Sequence, residues 1–408
     1  MNRIATGASL LLLPFLPLAG CAGSSSRPAT PPVAQSTGVA VGPGSLINAQ
    51  TRKVFLPLGM NSVGIVYPTQ YAGTLCNQPD NEPGFRVGQA LEAAQVAMTA
   101  SPTPPAVANA QLLAMVNDWG ANSVRFQVSQ GALQYEYANH LSAYTSMVRS
   151  VIAQARAAGL VVIVVMQAES YSCTPLRSDG QLQKLPDQLT EQAWAQLLDS
   201  TLTNDPGVIL EVFNEPNTGI ECSIGTAVNW TDWATGCGTG PDEGMVTVGT
   251  YLRSLAPNNV LLFDGDQDAD QFTGFTIPAG MPAQSAYTVH PYDYVETSGG
   301  VPSESASENN WNNRFGMLQT SGSTLLVSEW NESFQCPSDP NQTITDEFVQ
   351  NYLPAHNMGL ILYGWDAPSF ASGYLVNPAT FAPVNSNTAC ANTGAGVAQQ
   401  EFIQHSSD

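Results

Sequence analysis

Positive charge is what this chain has least of. Twelve Lys and Arg stand against 33 Asp and Glu in 408 residues, for a formal net charge of −21. Nucleic acid and anionic polymers require a basic patch, so they are excluded as partners, and a neutral substrate is compatible. Charge of either sign is scarce, at 11% of residues against the roughly 25% of ordinary soluble domains. The hydrophobic share of 43% is ample for a core. A low pI with almost no lysine suits a protein exposed to acidic surroundings, where many carboxylates are neutralised.

A bilayer-spanning segment is missing from the amino terminus. The apolar run Ile4 to Leu18 is too short, and too broken by Pro14 and Pro17, to cross a membrane stably. Preceded by Asn2-Arg3 and ending Leu18-Ala19-Gly20-Cys21, it reads as an export signal over residues 1–20. Its end resembles a bacterial lipobox, which predicts cleavage before Cys21 and lipid on that thiol; ordinary cleavage near Ala22 would leave Cys21 incidental. The expected location is therefore a lipoprotein held at a membrane or cell surface, or otherwise a secreted or periplasmic protein. Residues 21–50, rich in Ser, Pro, Thr and Gly, read as a flexible tether. A single domain is expected over 51–408.

No Cys-x-x-Cys or Cys-His pairing is present, which speaks against a metal site built on thiolates. Beyond Cys21 the cysteines are Cys76, Cys173, Cys222, Cys237, Cys336 and Cys390. An even number in an exported chain predicts three disulfides, with fifteen connectivities open.

Eight apolar strand candidates follow in order: 55–65, 123–128, 160–166, 208–213, 259–264, 286–290, 324–328 and 359–364. Amphipathic helix patterns cover 141–158, 190–203, 244–255, 346–356 and 396–405. The crossover after Asp264 shows a short helix at most. Strand then helix eight times over predicts an α/β fold of the (β/α)8 TIM-barrel kind. A doubly wound open sheet is the rival, but no Gly-x-Gly-x-x-Gly follows the first strand. Loops after strands 1, 3, 4, 7 and 8 are long and carry all six cysteines, so disulfides would staple the top face. In such barrels that face holds the chemistry.

The strand ends carry polar residues that belong together. They are Arg125 on strand 2, Asn214-Glu215-Pro216 on strand 4, His290-Pro291-Tyr292 on strand 6, Ser328-Glu329-Trp330 on strand 7 and Tyr363-Gly364-Trp365 on strand 8. Two carboxyls at one sheet edge can act as proton donor and nucleophile toward a glycosidic bond. With Leu58-Gly59-Met60-Asn61 on strand 1, the chain resembles glycoside hydrolase family 5, the cellulase family within clan A of retaining glycosidases.

That resemblance implies Glu215 as general acid/base and Glu329 as nucleophile, with no cofactor and no metal. It implies Glu215 raised in pKa and Glu329 kept ionised by Arg125 and the Tyr292 hydroxyl. Asn214 would meet the sugar 2-hydroxyl, His290 would lie near Glu215, and Trp365 would floor the sugar. Trp330 reads as substrate platform or loop core. Trp230 and Trp233 are candidates for a sugar-stacking rim, or cover their own loop, and Phe370 for a loop edging the cleft. Family members usually carry a histidine at the end of strand 3; here Gln167 stands nearest, which would shift subsite specificity. Glu169 is a rival for the acid role.

The run Asp264 to Asp270 resembles a calcium loop but has Ala269 where Gly is needed, so a solvated acidic loop is expected. Trp119 and Trp194 sit on helix faces as packing residues. The implied function is hydrolysis of a neutral β-linked glucan or mannan, or an oligosaccharide, by a monomer that meets the membrane only through lipid on Cys21. Two other readings remain: a barrel that binds polysaccharide without cleaving it, and a metal-dependent hydrolase. The latter lacks a His-x-His on strand 1.

Overall fold

The computed structural model describes residues 37–66, 106–168, 183–238, 242–292, 304–330 and 347–365, with short stretches between 376 and 406. Eight parallel strands close into a barrel in the order β10-β3-β4-β5-β6-β7-β8-β9. They are β3 (Leu58–Ser62), β4 (Ser123–Ser129), β5 (Val161–Gln167), β6 (Val208–Glu211), β7 (Leu261–Asp264), β8 (Ser285–Val289), β9 (Leu325–Trp330) and β10 (Leu360–Leu362). All eight expected strands are present, and the expected barrel is the observed one.

Alternation along each strand sorts the core into two shells. On β5, Val162, Val164 and Met166 pack outward with helix residues such as Val148, Val151 and Ile152. Val161 and Ile163 turn inward and meet Ile209, Leu262, Ala286, Leu326 and Ile361 in the lower barrel interior. On β3 the interior position is Gly59, where a Cβ would overlap the carbonyl oxygen of Ser123. Strands β3 and β4 pack that closely only around glycine.

The barrel floor is closed by a hairpin that the composition hid. Val39–Val41 (β1) pairs antiparallel with Leu46–Asn48 (β2). Val39 and Leu46, each 2% exposed, join the interior cluster from below. Backbone contacts run from Val39 to Pro206 and from Gly44 to Gly322, in turns that precede strands. The expected tether over 21–50 is thus corrected at its carboxyl end, because two apolar side chains there fill the barrel's open bottom.

Helix Ala143–Ala157 (α3) and helix Gly244–Leu255 (α8) lie where periodicity puts them. The pattern over 190–203 divides into α4 (Gln188–Leu197) and α5 (Ser200–Thr203). Each has its own cap, Asp187 accepting from the N–H of Leu189 and Thr190, Asp199 from those of Thr201 and Leu202. Between β7 and β8 the chain runs through turns, as expected for the weak fifth crossover. Among the described residues, no helix is long and apolar enough to cross a membrane.

A disulfide joins Cys222 to Cys237, with Cα atoms 5.4 Å apart, and brackets helix Trp230–Thr235 (α7). Cys21, Cys76, Cys173, Cys336 and Cys390 lie outside the described residues, as do Glu169 and Phe370.

Candidate active site

Above the apolar layer the same strands turn polar. On β4, Arg125 and Gln127 share the inward face, because residues two apart on a strand point the same way. Arg125 is fully buried, and all five of its N–H groups are used. Its Nε and Nη2 form a fork onto Glu211, at 2.8 and 2.6 Å. Nη2 also meets Asn214 Oδ1 at 2.7 Å, while Nη1 meets Asn61 Oδ1 at 2.7 Å and Glu329 Oε2 at 2.8 Å. One guanidinium therefore ties β3, β6 and β9 together under the site. Burial works to lower the Arg125 pKa, and Glu211 and Glu329 more than offset it. Burial likewise works to raise Glu211, and Arg125 holds it below the ordinary carboxylate range.

Glu329 receives three donors. Arg125 Nη1 and Gln127 Nε2 reach Oε2, the latter at 2.9 Å, and the Tyr292 hydroxyl donates to Oε1 at 3.2 Å. Glu215 lies across from it, with Oε1 3.0 Å from His290 Nδ1. The other ring nitrogen of His290 is 3.0 Å from Ser328 Oγ. A carboxylate oxygen of Glu215, a ring nitrogen of His290 and a carboxylate oxygen of Glu329 all lie within 4.8 Å of one another. Glu211, Asp264 and His290 form a second such trio, fully buried. Both trios are already engaged by the guanidinium, hydroxyl and amide contacts of this network.

The electrostatics of Glu329 differ from the expectation. Burial pushes the Glu329 carboxyl up to about 7, and the Glu215 charge adds to the rise. His290, Arg125 and Tyr292 pull the other way. Arg125 was expected to keep Glu329 firmly ionised. Instead it divides its charge between two buried carboxylates, with the fork given to Glu211, so burial prevails. Tyr292 is pushed well above its ordinary value, first by burial and then by Glu329, so its phenol stays a donor.

Asn214 accepts from Arg125 through Oδ1. Its Nδ2 is buried and has no hydrogen-bond partner among the described residues, which leaves one donor uncommitted. Gln167 is buried at the top of β5, level with Ser129.

The aromatic expectations fare less well. Trp330 is fully buried and packs edge-on to Phe348 at 5.2 Å, so it is core and not a sugar platform. Trp365 is 3% exposed, stacked on Phe381 at 5.7 Å and edge-on to Trp119 at 5.9 Å. Phe381 thus covers one face of the Trp365 ring. Trp233 is fully buried and donates to the Asp264 carbonyl at 3.1 Å, so it supports the loop from beneath. Trp230 alone of that pair keeps partial exposure, stacked on Phe272 at 5.8 Å. Trp119 and Trp194 are buried packing residues, as expected.

The acidic run is not a solvated loop. Asp264 and Asp266 are buried; Asp266 accepts from the backbone and hydroxyl of Thr218, while Asp268 pairs with Lys184 at 3.0 Å. Gln127, Glu211 and Ser328 were missed as site residues. Spacing of two from Arg125, and of four before Glu215, would have pointed to the first two.

Comparison with known proteins settles the family. The model of the cellulase family, glycosyl hydrolase family 5, matches residues 84–369. This chain belongs to glycoside hydrolase family 5. It is a glycosidase acting on O-glycosyl compounds. No curated protein sequence matches it. Among solved structures, the family 5 chain is similar to the β-glucanase SdGluc5_26A of Saccharophagus degradans in complex with cellotetraose. The identity is 15% and the TM-score 0.64, over 92% of this chain and 95% of that one. The catalytic domain of Thermobifida fusca endoglucanase Cel5A gives 15% identity and a TM-score of 0.56, over 91% and 99%. At these identities the likeness is one of fold.

Proposed function

We propose that this family 5 enzyme is a retaining β-glycosidase that cleaves a neutral β-linked glucan or its oligosaccharides by double displacement. Glu215 is the acid/base and Glu329 the nucleophile. One observation carries this: carboxylate oxygens of the two residues lie within 4.8 Å of each other. Retention calls for carboxyls about 5–5.5 Å apart, whereas inversion needs about 6.5–9.5 Å to admit a water between them. In the first step Glu215 protonates the leaving oxygen while Glu329 attacks the anomeric carbon. Water, deprotonated by Glu215, then displaces Glu329 and the sugar leaves with its original configuration.

The surrounding residues support these roles. Arg125, Gln127 and Tyr292 donate to Glu329 and favour its ionised form, and His290 orients Glu215. Asn214 Nδ2 offers a donor for a hydroxyl of the reacting sugar. The glucan preference draws on the titles of the similar structures, a β-glucanase with cellotetraose and an endoglucanase; mannan is the second substrate to try. The net charge of −21 favours an uncharged polymer.

The test is hydrolysis of aryl β-cellobiosides, β-glucans and mannans, with the anomer first released read by NMR. The β anomer is expected first, and Glu329→Ala and Glu215→Ala should lower kcat by at least about 10³-fold on glucan. Initial release of the α anomer, or a Glu329→Ala enzyme of wild-type rate, defeats the proposal.

A further inference from the structure

Asp264 is a buried carboxyl for which the double displacement has no use. It ends β7 beside β6 and is fully buried. Its Oδ2 accepts the backbone N–H of Glu215 at 3.0 Å. Its Oδ1 is also buried, and no N–H or O–H among the described residues reaches it. Its neighbour is the carboxyl of Glu211: an oxygen of each lies within 4.8 Å of the other and of a ring nitrogen of His290. Two fully buried carboxyls this close cannot both hold a charge cheaply, and one proton between them would satisfy the oxygen that no donor reaches.

The donors decide which of the two carries it. Glu211 already receives the two-pronged Arg125 fork and the Ser328 hydroxyl at 3.4 Å. A carboxylate so supplied keeps its charge. Charge counting agrees. Arg125 is one cation facing Glu211 and Glu329, and a third buried anion would have no counter-charge.

We propose that Asp264 is a positioning residue: a carboxylic acid that donates its proton to Glu211 through Oδ1 and fixes the backbone of Glu215 through Oδ2. The proposal rests on the reading of Glu215 as acid/base. Other ionisable groups around Asp264 are Arg125 on β4 and His290 after β8, whose Nε2 lies 3.9 Å from Oδ2. Burial first, and then the Glu211 charge, push Asp264 well above the ordinary carboxylate range.

Glu215 needs such an anchor. Its φ of +52° is left-handed, which a residue with a Cβ adopts only when its surroundings hold it there. The Asp264 bond clamps the peptide that aims the Glu215 carboxyl. An unbroken line of contacts then runs from Glu329 through Arg125, Glu211 and Asp264 to Glu215. The two carboxyls of the reaction are set in place by one shared frame.

Leaving-group dependence tests this in the full-length enzyme. A glycoside with a good leaving group, 2,4-dinitrophenyl β-cellobioside, needs little help from an acid, whereas phenyl β-cellobioside needs it fully. Asp264→Ala should cut kcat/KM on the phenyl glycoside at least about tenfold more than on the dinitrophenyl one. Asp264→Asn keeps both bonds, its amide oxygen accepting from Glu215 and its amide N–H donating to Glu211. It should restore the rate to within about threefold of wild type, with the pH profile unmoved. Equal losses on both glycosides for a folded Asp264→Ala overturn the proposal. So does a folded Asp264→Asn that has lost activity or moved a limb of the profile, whether or not the alanine variant folds. Glu215→Ala separates the two ideas. If it lacks leaving-group dependence, the acid/base assignment fails; if it shows the dependence and Asp264→Ala does not, only the role of Asp264 fails.

Discussion

At the barrel floor Ile209, Leu262 and Leu326 meet Val39 and Leu46 in a dry, closed layer. Two residues further along the same strands stand Glu211, Asp264 and Ser328, equally buried but joined by charge and hydrogen bonds. Both layers are packed from inward-facing positions at a spacing of two. The lower layer gains by excluding water from apolar surface, which any well-shaped apolar side chain can do. The upper layer holds buried carboxyls at a desolvation cost that Arg125 offsets for Glu211 but not for Glu329. The fold therefore carries stability at one end and accepts strain at the other, the end where such barrels place their chemistry.

Removing the cation that holds the upper layer together should break the contrast most sharply. Arg125→Met leaves Glu211 and Glu329 buried without their counter-charge, a loss of about 4 kcal/mol, and it also removes a donor from Glu329, the proposed nucleophile. Denaturant unfolding should show the lower midpoint, and activity on glucan should fall with it. A variant of wild-type stability would mean that these carboxylates bury themselves as neutral acids.

Acidity should set the two ends of the barrel against each other. Glu329 sits at about 7, above its ordinary value of 4.5, so its ionisation opposes the folded state. Asp264, Asp266 and Asp187 are raised too, each chiefly by burial. A carboxyl raised on folding contributes stability that is whole below its unfolded pKa and lost as pH rises through the folded value. Glu211, lowered by Arg125, acts oppositely, but only below about pH 4.5. Thermal unfolding should thus occur at higher temperature near pH 5 than at pH 8, with Glu329 alone worth on the order of 3 kcal/mol. On the proposed mechanism Glu329 must be ionised to attack, so kcat/KM should decline as pH drops below about 7. An acidic limb near 4.5 would instead show that Arg125 governs Glu329.

The smallest effect is expected at the floor. Leu46→Ala opens a space beneath the barrel where the hairpin can settle, at a cost of about 2 kcal/mol, the lower end for such a truncation. The melting temperature should drop by a few degrees with kcat unchanged. A loss of kcat would mean that the two layers are coupled.

Much of this was legible in the chain. Buried parallel strands read as apolar runs, and a polar residue closing such a run marks the carboxyl edge, which is how Glu215 and Glu329 stand out. The hairpin at 39–48 was not, because three-residue strands among Gly, Ser and Pro carry no period to count. The aromatic role of Trp330 misled for a different reason: a strand-end tryptophan fits core or cleft equally well, and only the packing of Phe348 decides for it. Glu211 and Asp264 were hidden by the same rule that revealed Glu215. Within an apolar run a carboxylate reads as an interruption until the partner across the barrel is known.

The hairpin sets a direction as well as a seal. The polypeptide enters the barrel at its closed end, with Val39 bonded to Pro206. Any pull exerted through the residues that precede it arrives at the pole opposite the two glutamates. Such a pull would load the floor and leave the carboxyl edge of the strands untouched.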